Sequence, residues 1–263
     1  MISEHIVSQY HFISGLPRSG TTLLSAVLNQ NPKFQASISG PLARFARAVI
    51  DQSSAQGGYR HQCDENKRKK IIQGMFDNYY DDTSKEVFFD TNRGWTLLLP
   101  LIKDIFPQTK VICCVRDIKW ILDSFEQLVR KNPYSVTPMF APEENVNVYT
   151  RCQTLLRDDK TVGFAYNALK HAITSDERNM IMLVEYDQLC KHPEKTMRSI
   201  YKFIGQEYYN HDFNDVESSH DEFDQDVNLK GLHTTRKKVE WIERPTILPP
   251  DIINHVANME VWR

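Results

Sequence analysis

The sequence predicts an α/β fold in which a mainly parallel sheet is flanked by helices. Four short apolar runs alternate with longer segments of helical periodicity. Most of the run 110–115 and most of the run 87–90 are apolar without alternation, as in strands buried on both faces. A glycine-rich loop joins the first strand to the first helix, and strand–helix–strand crossovers of this kind are right-handed and produce parallel sheets.

Hydrophobic periodicity and turn residues give the order of the elements. The acidic segment 207–226 holds eight acids and no lysine or arginine, so we expect it to be exposed and mobile. The segment 132–145 contains three prolines and is expected to be a loop that lines an acceptor pocket together with the helix beginning at Pro41. The predicted strands are 10–13, 87–90, 110–115 and 180–184, and the predicted helices are 21–28, 41–50, 66–80, 95–106, 118–130, 146–156, 161–174, 192–204 and 250–259.

Composition narrows the function classes. The chain has 263 residues, 41% hydrophobic and 25% charged, with a net charge of -2, so it offers no global reason to bind nucleic acid. No apolar run is long enough to span a membrane or to serve as a leader, and the five cysteines lack metal-ligand spacing. We therefore expect one cytoplasmic domain over 1–263, with a core at about 10–205 and a C-terminal segment at about 227–263.

The loop 15–22 has the composition of a phosphate-binding loop. Gly15 and Gly20 allow close backbone approach, and the helix that follows directs free N–H groups toward an anion. The spacing matches G-x-x-x-x-G-K-[ST] except that Thr21 stands in the place of the lysine. Because that lysine reaches the β/γ-phosphates in kinases and ATPases, its absence argues against ordinary ATP chemistry.

Further polar residues follow the other predicted strands. In parallel α/β sheets, ligands bind outside the carboxyl ends of the strands, which here end at 90–93, 116–117 and 185–187. Arg116 can fork two N–H groups onto a phosphate while Ser124, about two helical turns on, adds a hydroxyl. An arginine at a strand end can equally pair with a nearby carboxylate, so this observation alone leaves both roles open.

Together these motifs resemble those of the sulfotransferases. The loop 15–24 resembles their 5′-phosphosulfate loop, 106–117 with Ser124 resembles their 3′-phosphate motif, and 184–189 is similar to the segment whose tyrosine lies near the adenine. The resemblance implies the P-loop-NTPase-like sulfotransferase fold. It also implies 3′-phosphoadenosine 5′-phosphosulfate (PAPS) as donor, 3′-phosphoadenosine 5′-phosphate (PAP) as product and no metal. The implied cofactor-binding residues are Pro17, Arg18, Ser19, Gly20, Thr21, Thr22, Arg116, Ser124, Tyr186, Arg236 and Lys237.

The implied catalytic residues are Arg18, Asp90 and Arg93. Transfer of a sulfuryl group needs donors aimed at the leaving oxygen, which Arg18 and the loop can supply, and a base for the acceptor hydroxyl. The tip 90–93 lacks the lysine and histidine of the small-molecule enzymes. Asp90 is therefore the candidate base, and Arg93 is the candidate substitute for the lysine. Alternatively, Asp90 orients Arg93 or the loop. The segment 37–41 also lacks the glutamate of the protein-tyrosine branch.

We therefore predict transfer to a hydroxyl of a small molecule, a glycan or a peptide. Two alternatives remain at this point. The first is a P-loop kinase or nucleotidase in which Asp90 binds Mg²⁺. The second is a catalytically inactive PAP-binding protein, which the altered tip at 90–93 suggests.

Overall fold

A five-stranded parallel sheet forms the centre of the computed structural model, which describes residues 9–216, 218 and 220–263. The strand order is β2-β3-β1-β4-β5, and every neighbouring pair is parallel. The strands are β1 (Gln9–Gly15), β2 (Phe34–Ala36), β3 (Val87–Thr91), β4 (Val111–Val115) and β5 (Ile181–Glu185). The predicted α/β class with a mainly parallel sheet is confirmed.

Eleven α-helices occur in the described residues. They are α1 (Thr21–Leu28), α2 (Leu42–Gln52), α3 (Glu65–Tyr79), α4 (Leu99–Ile105), α5 (Ile118–Lys131), α6 (Val148–Leu156), α7 (Thr161–Thr174), α8 (Tyr186–Lys191), α9 (Pro193–Ile204), α10 (Asp221–Asp226) and α11 (Pro250–Val256). The predicted helix 95–106 divides into a 3-10 turn, Arg93–Leu97, and α4, because Pro100 is accommodated near a helix start, where no intrahelical N–H is required.

Both faces of the sheet are covered, as its unbroken apolar strands predict. On one face, Phe12 and Phe88 pack with the buried Trp95 and with residues of α2 to α7. On the other, Ile13 and Phe89 pack with α1 and α9. Burial on both sides fixes the sheet rigidly, so the residues that follow its strands are held on a stable platform.

The acidic segment 207–226 differs from the expectation of an exposed, mobile stretch. Its backbone at Phe213, Val216 and Ser218 bonds to residues 235–239, forming a hairpin-like pairing, and Val216 is buried against the core. The segment then forms α10, in which Asp224 is 2% exposed. The expectation was wrong for these residues because their partners lie in the later C-terminal segment, beyond any local window. We call the described residues of 213–239 the C-terminal hairpin; positions 217 and 219, which the expectation also covered, lie outside the described residues.

No helix in the described part of the chain is long and apolar enough to cross a membrane.

Candidate active site

The loop between β1 and α1 has the geometry of an anion-binding turn. Gly15 has φ 108°, and a Cβ placed there would lie 2.1 Å from the carbonyl oxygen of Cys114, so only glycine fits against β4. Gly20 begins α1 with φ 98° and no side-chain cap, which leaves the first N–H groups of the helix without a side-chain acceptor. Arg18 itself has φ 56°, a conformation uncommon for a residue with a Cβ.

The hydroxyls of this loop divide into two kinds. Ser19 is fully buried, and its Oγ lies 2.5 Å from the carbonyl oxygen of Leu16 and 2.9 Å from that of Cys114. Its side chain therefore holds the loop in shape, and only its backbone N–H can face a ligand. Thr21 and Thr22 are half-buried at the start of α1, where hydroxyls remain available to an anion. Pro17 is buried beneath the turn.

Arg18 connects the loop to α5 and to the C-terminal hairpin. Its Nε donates to Oγ of Ser124 over 3.1 Å, and its Nη1 donates to the carbonyl oxygen of Leu232. The sequence placed Ser124 beside Arg116, but in the structure the serine accepts from Arg18. Burial, with the charge of Arg116 adding to it, lowers the pKa of Arg18 to about 10, so the guanidinium stays charged at neutral pH.

Arg116 follows β4 and reaches back to the same loop. Its Nη1 donates to the backbone carbonyl oxygen of Arg18 over 3.1 Å, and its guanidinium stacks 4.1 Å from the ring centre of Tyr186. Tyr186 begins α8 after β5, and its ring lies against Gly20. The three strand ends at β1, β4 and β5 thus meet, as predicted from the sequence, where the sheet order reverses between β1 and β4.

The two arginines lack the carboxylate partners that arginines at strand ends often have. Within the described residues, neither Arg18 nor Arg116 forms an ion pair. Nε of Arg116 is buried and has no hydrogen-bond partner. Buried charged donors of this kind are costly unless a ligand accepts from them, so the arrangement fits an anion with phosphate or sulfate groups.

The carboxylate of Asp90 is more deeply buried than a base that contacts an acceptor would be. It is 1% exposed, its Oδ2 accepts from the hydroxyl of Tyr80 over 2.7 Å, and its Oδ1 accepts from Nε1 of Trp95 over 2.7 Å. Gly40 closes over the carboxylate, since a Cβ there would lie 2.2 Å from Oδ2. Burial raises the pKa of Asp90. Asp90 therefore links β3 to Tyr80 at the end of α3 and to Trp95 in the turn that follows β3. Its predicted role as the catalytic base stays a prediction.

Comparison with known proteins gives the family. The family model described as "Sulfotransferase family" matches residues 11–210, which is most of the chain. The chain belongs to the sulfotransferase family. It is 23% identical over 98% of its length to protein-tyrosine sulfotransferase 2 of Gallus gallus, covering 70% of that protein. It is 24% identical over 85% of its length to a putative protein-tyrosine sulfotransferase of Caenorhabditis briggsae, covering 79% of it.

Solved sulfotransferases share the fold. A sulfotransferase from Alicyclobacillus acidocaldarius matches with a TM-score of 0.54 and 14% identity, over 97% of this chain and 95% of that one. A mouse sulfotransferase solved with PAP matches with a TM-score of 0.55 and 13% identity, over 97% of this chain and 84% of that one. The predicted sulfotransferase fold is confirmed.

The C-terminal segment of this sulfotransferase lies against the strand ends. Arg244 pairs with the buried Asp123 of α5, and Thr246 Oγ1 donates to the same carboxylate over 2.8 Å. Arg236 is exposed, and its charge lowers the pKa of Tyr186, although burial raises that pKa more. Lys237 is also exposed, and its backbone carbonyl accepts from the N–H of Val216. Arg236 is therefore near Tyr186, the residue predicted to lie by the adenine, whereas Lys237 contributes a backbone hydrogen bond to Val216.

One pair of residues near the loop was missed by the sequence analysis. Nδ1 of His233 lies 2.7 Å from Oδ1 of Asp224, and the charges of Arg18 and Arg93 both act on its ring. Arg93 is exposed and forms no ion pair in the part of the chain described. The acid that contacts His233 lies nine positions earlier, in the segment 207–226 that was expected to be exposed and mobile, so spacing gave no signal for the pair.

Clusters of three or more histidine, cysteine, aspartate or glutamate side chains that could hold a metal ion do not occur among the described residues.

Proposed function

We propose that this sulfotransferase transfers the sulfuryl group of PAPS to a hydroxyl acceptor. The observation that carries the proposal is the pair of arginines, Arg18 and Arg116, which converge on the uncapped start of α1 without a carboxylate partner. Two anionic groups placed there would supply the acceptors that Nε of Arg116 and the N–H groups of α1 lack. The fold relative solved with PAP supports the same choice of ligand.

Each residue has a distinct place in the proposed site. Arg18, the loop N–H groups, Thr21 and Thr22 would bind the 5′-phosphosulfate and stabilise the charge that develops on the leaving phosphate oxygen. Arg116 would bind the 3′-phosphate, with Arg236 approaching from the C-terminal hairpin. Tyr186 would pack against the adenine, since its ring already lies between Arg116 and Gly20. PAPS supplies the sulfuryl group when bound.

The acceptor class is an alcohol or a phenol. The curated relatives are protein-tyrosine sulfotransferases, which places the phenol of a tyrosine side chain first among the acceptors to test. At the same time, the segment 37–41 has no acid, and Ser37 is held to β3, with its Oγ accepting from the N–H of Thr91 over 2.9 Å. An acceptor that depends on a base at that position is therefore disfavoured.

Ligand-dependent melting tests the donor. PAP at 100 times its Kd should stabilise the protein by about 2.7 kcal/mol, which raises the Tm by roughly 5–10 °C for a chain of this size. The shift should persist in EDTA. Adenosine 5′-monophosphate is the matched control: it lacks the 3′-phosphate, so Arg116 keeps its unpartnered Nε and the shift should be clearly smaller.

A shift with Mg·ATP that EDTA abolishes, together with none from PAP, would contradict the proposal. Turnover is then tested with [³⁵S]PAPS and mixed phenols, alcohols, saccharides and tyrosine peptides, using the Arg116→Ala variant as the blank. Binding of PAP without labelling of any acceptor would identify the protein as an inactive PAP-binding member of the family.

A further inference from the structure

The C-terminal hairpin presents a histidine–carboxylate pair at the phosphate-binding loop. Asp224 is 2% exposed, and its carboxylate accepts from the backbone N–H of Gly231 over 2.9 Å and from that of His233 over 3.1 Å. Its Oδ1 lies 2.7 Å from Nδ1 of His233. Phe223 packs edge-on against the imidazole, with 4.5 Å between ring centres. The ring is therefore held by two neighbours, the carboxylate of Asp224 and the ring of Phe223.

The same hairpin is attached directly to the loop. Leu232, the residue before His233, accepts from the guanidinium of Arg18 through its carbonyl oxygen. Pairing of 213–218 with 235–239 fixes the base of the hairpin, including the bond from the N–H of Val239 to the carbonyl of Phe213 over 2.8 Å. The residue whose carbonyl oxygen Arg18 contacts thus directly precedes His233 in the chain, and the charge of Arg18 acts on the imidazole.

We propose that His233, oriented by Asp224, is the general base that takes the proton from the acceptor hydroxyl. This inference rests on the proposed function of the site. It assigns to His233 contact with the acceptor, and to Asp224 the part of a positioning residue. The pair was not among the residues that the sequence motifs singled out.

The hydrogen bonds around the ring determine which nitrogen is available. A carboxylate with two backbone donors is an anion, so Nδ1 of His233 carries the proton that it shares with Asp224. Nε2 has no protein partner among the described residues, and the side chain is 17% exposed. Its lone pair is therefore open toward solvent, as a base that meets an incoming hydroxyl requires.

The charges around His233 keep it in the basic form. The groups that act on it are Asp224 on α10, Arg18 in the loop and Arg93 after β3. Burial lowers the pKa of His233, and the two arginines lower it further, against the raising effect of Asp224. The imidazole is consequently neutral at pH 7. The competing candidate, Asp90, has both carboxylate oxygens occupied and no exposed surface to offer.

The reaction step balances without any other reactant. The acceptor O–H bond breaks as its proton passes to Nε2 of His233, and the acceptor oxygen forms a bond to sulfur. The bond between sulfur and the bridging phosphate oxygen breaks, and its electron pair leaves with PAP. The imidazolium then returns its proton to water or buffer. Arg18 and the loop N–H groups stabilise the charge on the departing oxygen.

Substitution of His233 tests the base. In His233→Gln, kcat for release of PAP from PAPS, with water or a screened hydroxyl as acceptor, should fall about 100-fold or more, the range for loss of a general base. The Kd for PAP should change less than about twofold, because the side chain makes no contact with the phosphate-binding residues beyond charge. His171→Gln is the control, since His171 is an exposed histidine on α7. Imidazole should restore part of the activity to His233→Ala.

Two readouts separate a base from a merely structural residue. NMR of the imidazole nitrogens should show the Nδ1–H tautomer and a pKa for His233 below the ordinary value of 6.5, and PAP should raise that pKa because it adds negative charge. In Asp224→Asn the carboxylate that raises this pKa is lost, so the acidic limb of the pH–rate profile should move to lower pH. Wild-type kcat in His233→Gln, or an Nε2–H tautomer, would overturn the inference. Absence of a PAP-dependent Tm shift in the wild type would instead overturn the proposed function.

Discussion

Arg116 donates a hydrogen bond to the backbone carbonyl oxygen of Arg18, over 3.1 Å and across 98 positions of sequence. The contact joins the two phosphate motifs, and it places a second positive charge beside the first. Burial and mutual repulsion make the pair unfavourable without an anion, as the lowered pKa of Arg18 indicates. The site is therefore organised for a ligand that carries negative charge.

Removal of either arginine should weaken PAP binding. Arg18→Ala and Arg116→Ala are each expected to reduce the binding free energy by about 1.5–3 kcal/mol, the range for charge-assisted hydrogen bonds. Isothermal titration calorimetry measures the change. Arg47→Ala is the control, because Arg47 is an exposed residue paired with Asp51 on α2. Unchanged affinity in both site variants would contradict the assignment of this loop to PAP.

Gly15→Ala should destabilise the protein more than an ordinary glycine substitution. The added methyl group would lie 2.1 Å from the carbonyl oxygen of Cys114, and the residue has φ 108°. Gly58→Ala is the matched control, since Gly58 has φ 82° with open space around it and should lose only about 1–2 kcal/mol. Urea unfolding compares the two. Equal losses would show that the loop does not press against β4 as described.

Asp90→Asn separates a structural role from a catalytic one. An amide cannot accept from both Tyr80 and Trp95, so we expect the free energy of unfolding to fall by about 1–3 kcal/mol. Tyr80→Phe removes one of the same bonds and should behave similarly. With a structural role, kcat per folded molecule is retained in both variants. The sequence-based role of base would be supported if only Asp90→Asn lost more than about 100-fold in kcat.

His11 should make stability fall as the solution becomes acidic. Burial, with the charge of Lys110 adding to it, lowers the pKa of His11 to about 4 from its ordinary value of 6.5, and its Nδ1 accepts from the N–H of Lys110 over 3.1 Å. Between about pH 4 and pH 6.5, His11 is therefore protonated in the unfolded chain but neutral in the native state. Native stability should drop by about 2 kcal/mol between pH 7.5 and pH 5 from this residue alone.

His11→Asn isolates that effect, because its side-chain oxygen can replace Nδ1 as the acceptor for Lys110 without titrating. Urea unfolding at the two pH values should show a pH dependence reduced by about 2 kcal/mol relative to the wild type. The same substitution at His171, which is exposed on α7, should leave the pH dependence as it was. An unaltered slope in His11→Asn would contradict the burial argument.

The sequence was sufficient for the features that local pattern encodes. Apolar runs identified β1, β3, β4 and β5, and glycine spacing located the loop between β1 and α1. The edge strand β2 was missed because Phe34–Ala36 has only three residues, too few to show a period. Ser124 was expected to assist Arg116, but its hydroxyl accepts from Arg18 in the structure. Which of two nearby arginines a serine meets depends on packing, which spacing does not specify.

The C-terminal hairpin shows the other limit of sequence reasoning. Its acidic composition is typical of an exposed segment, and the burial of Asp224 follows from three donors at Gly231 and His233. Those donors become close only when 213–218 pairs with 235–239. Composition predicts the average exposure of a segment. A single carboxylate in it can nevertheless be buried when hydrogen-bond donors from elsewhere in the chain surround it.

The contact between Leu232 and Arg18 makes donor binding an exchange reaction. In the structure the Arg18 guanidinium already donates to a backbone carbonyl, so an incoming phosphosulfate must compete with that oxygen. On the proposed function, the affinity for PAP therefore reflects the difference between these two bonds. Substitutions that change the position of the Leu232 carbonyl would alter that affinity, although they lie far along the chain from the loop.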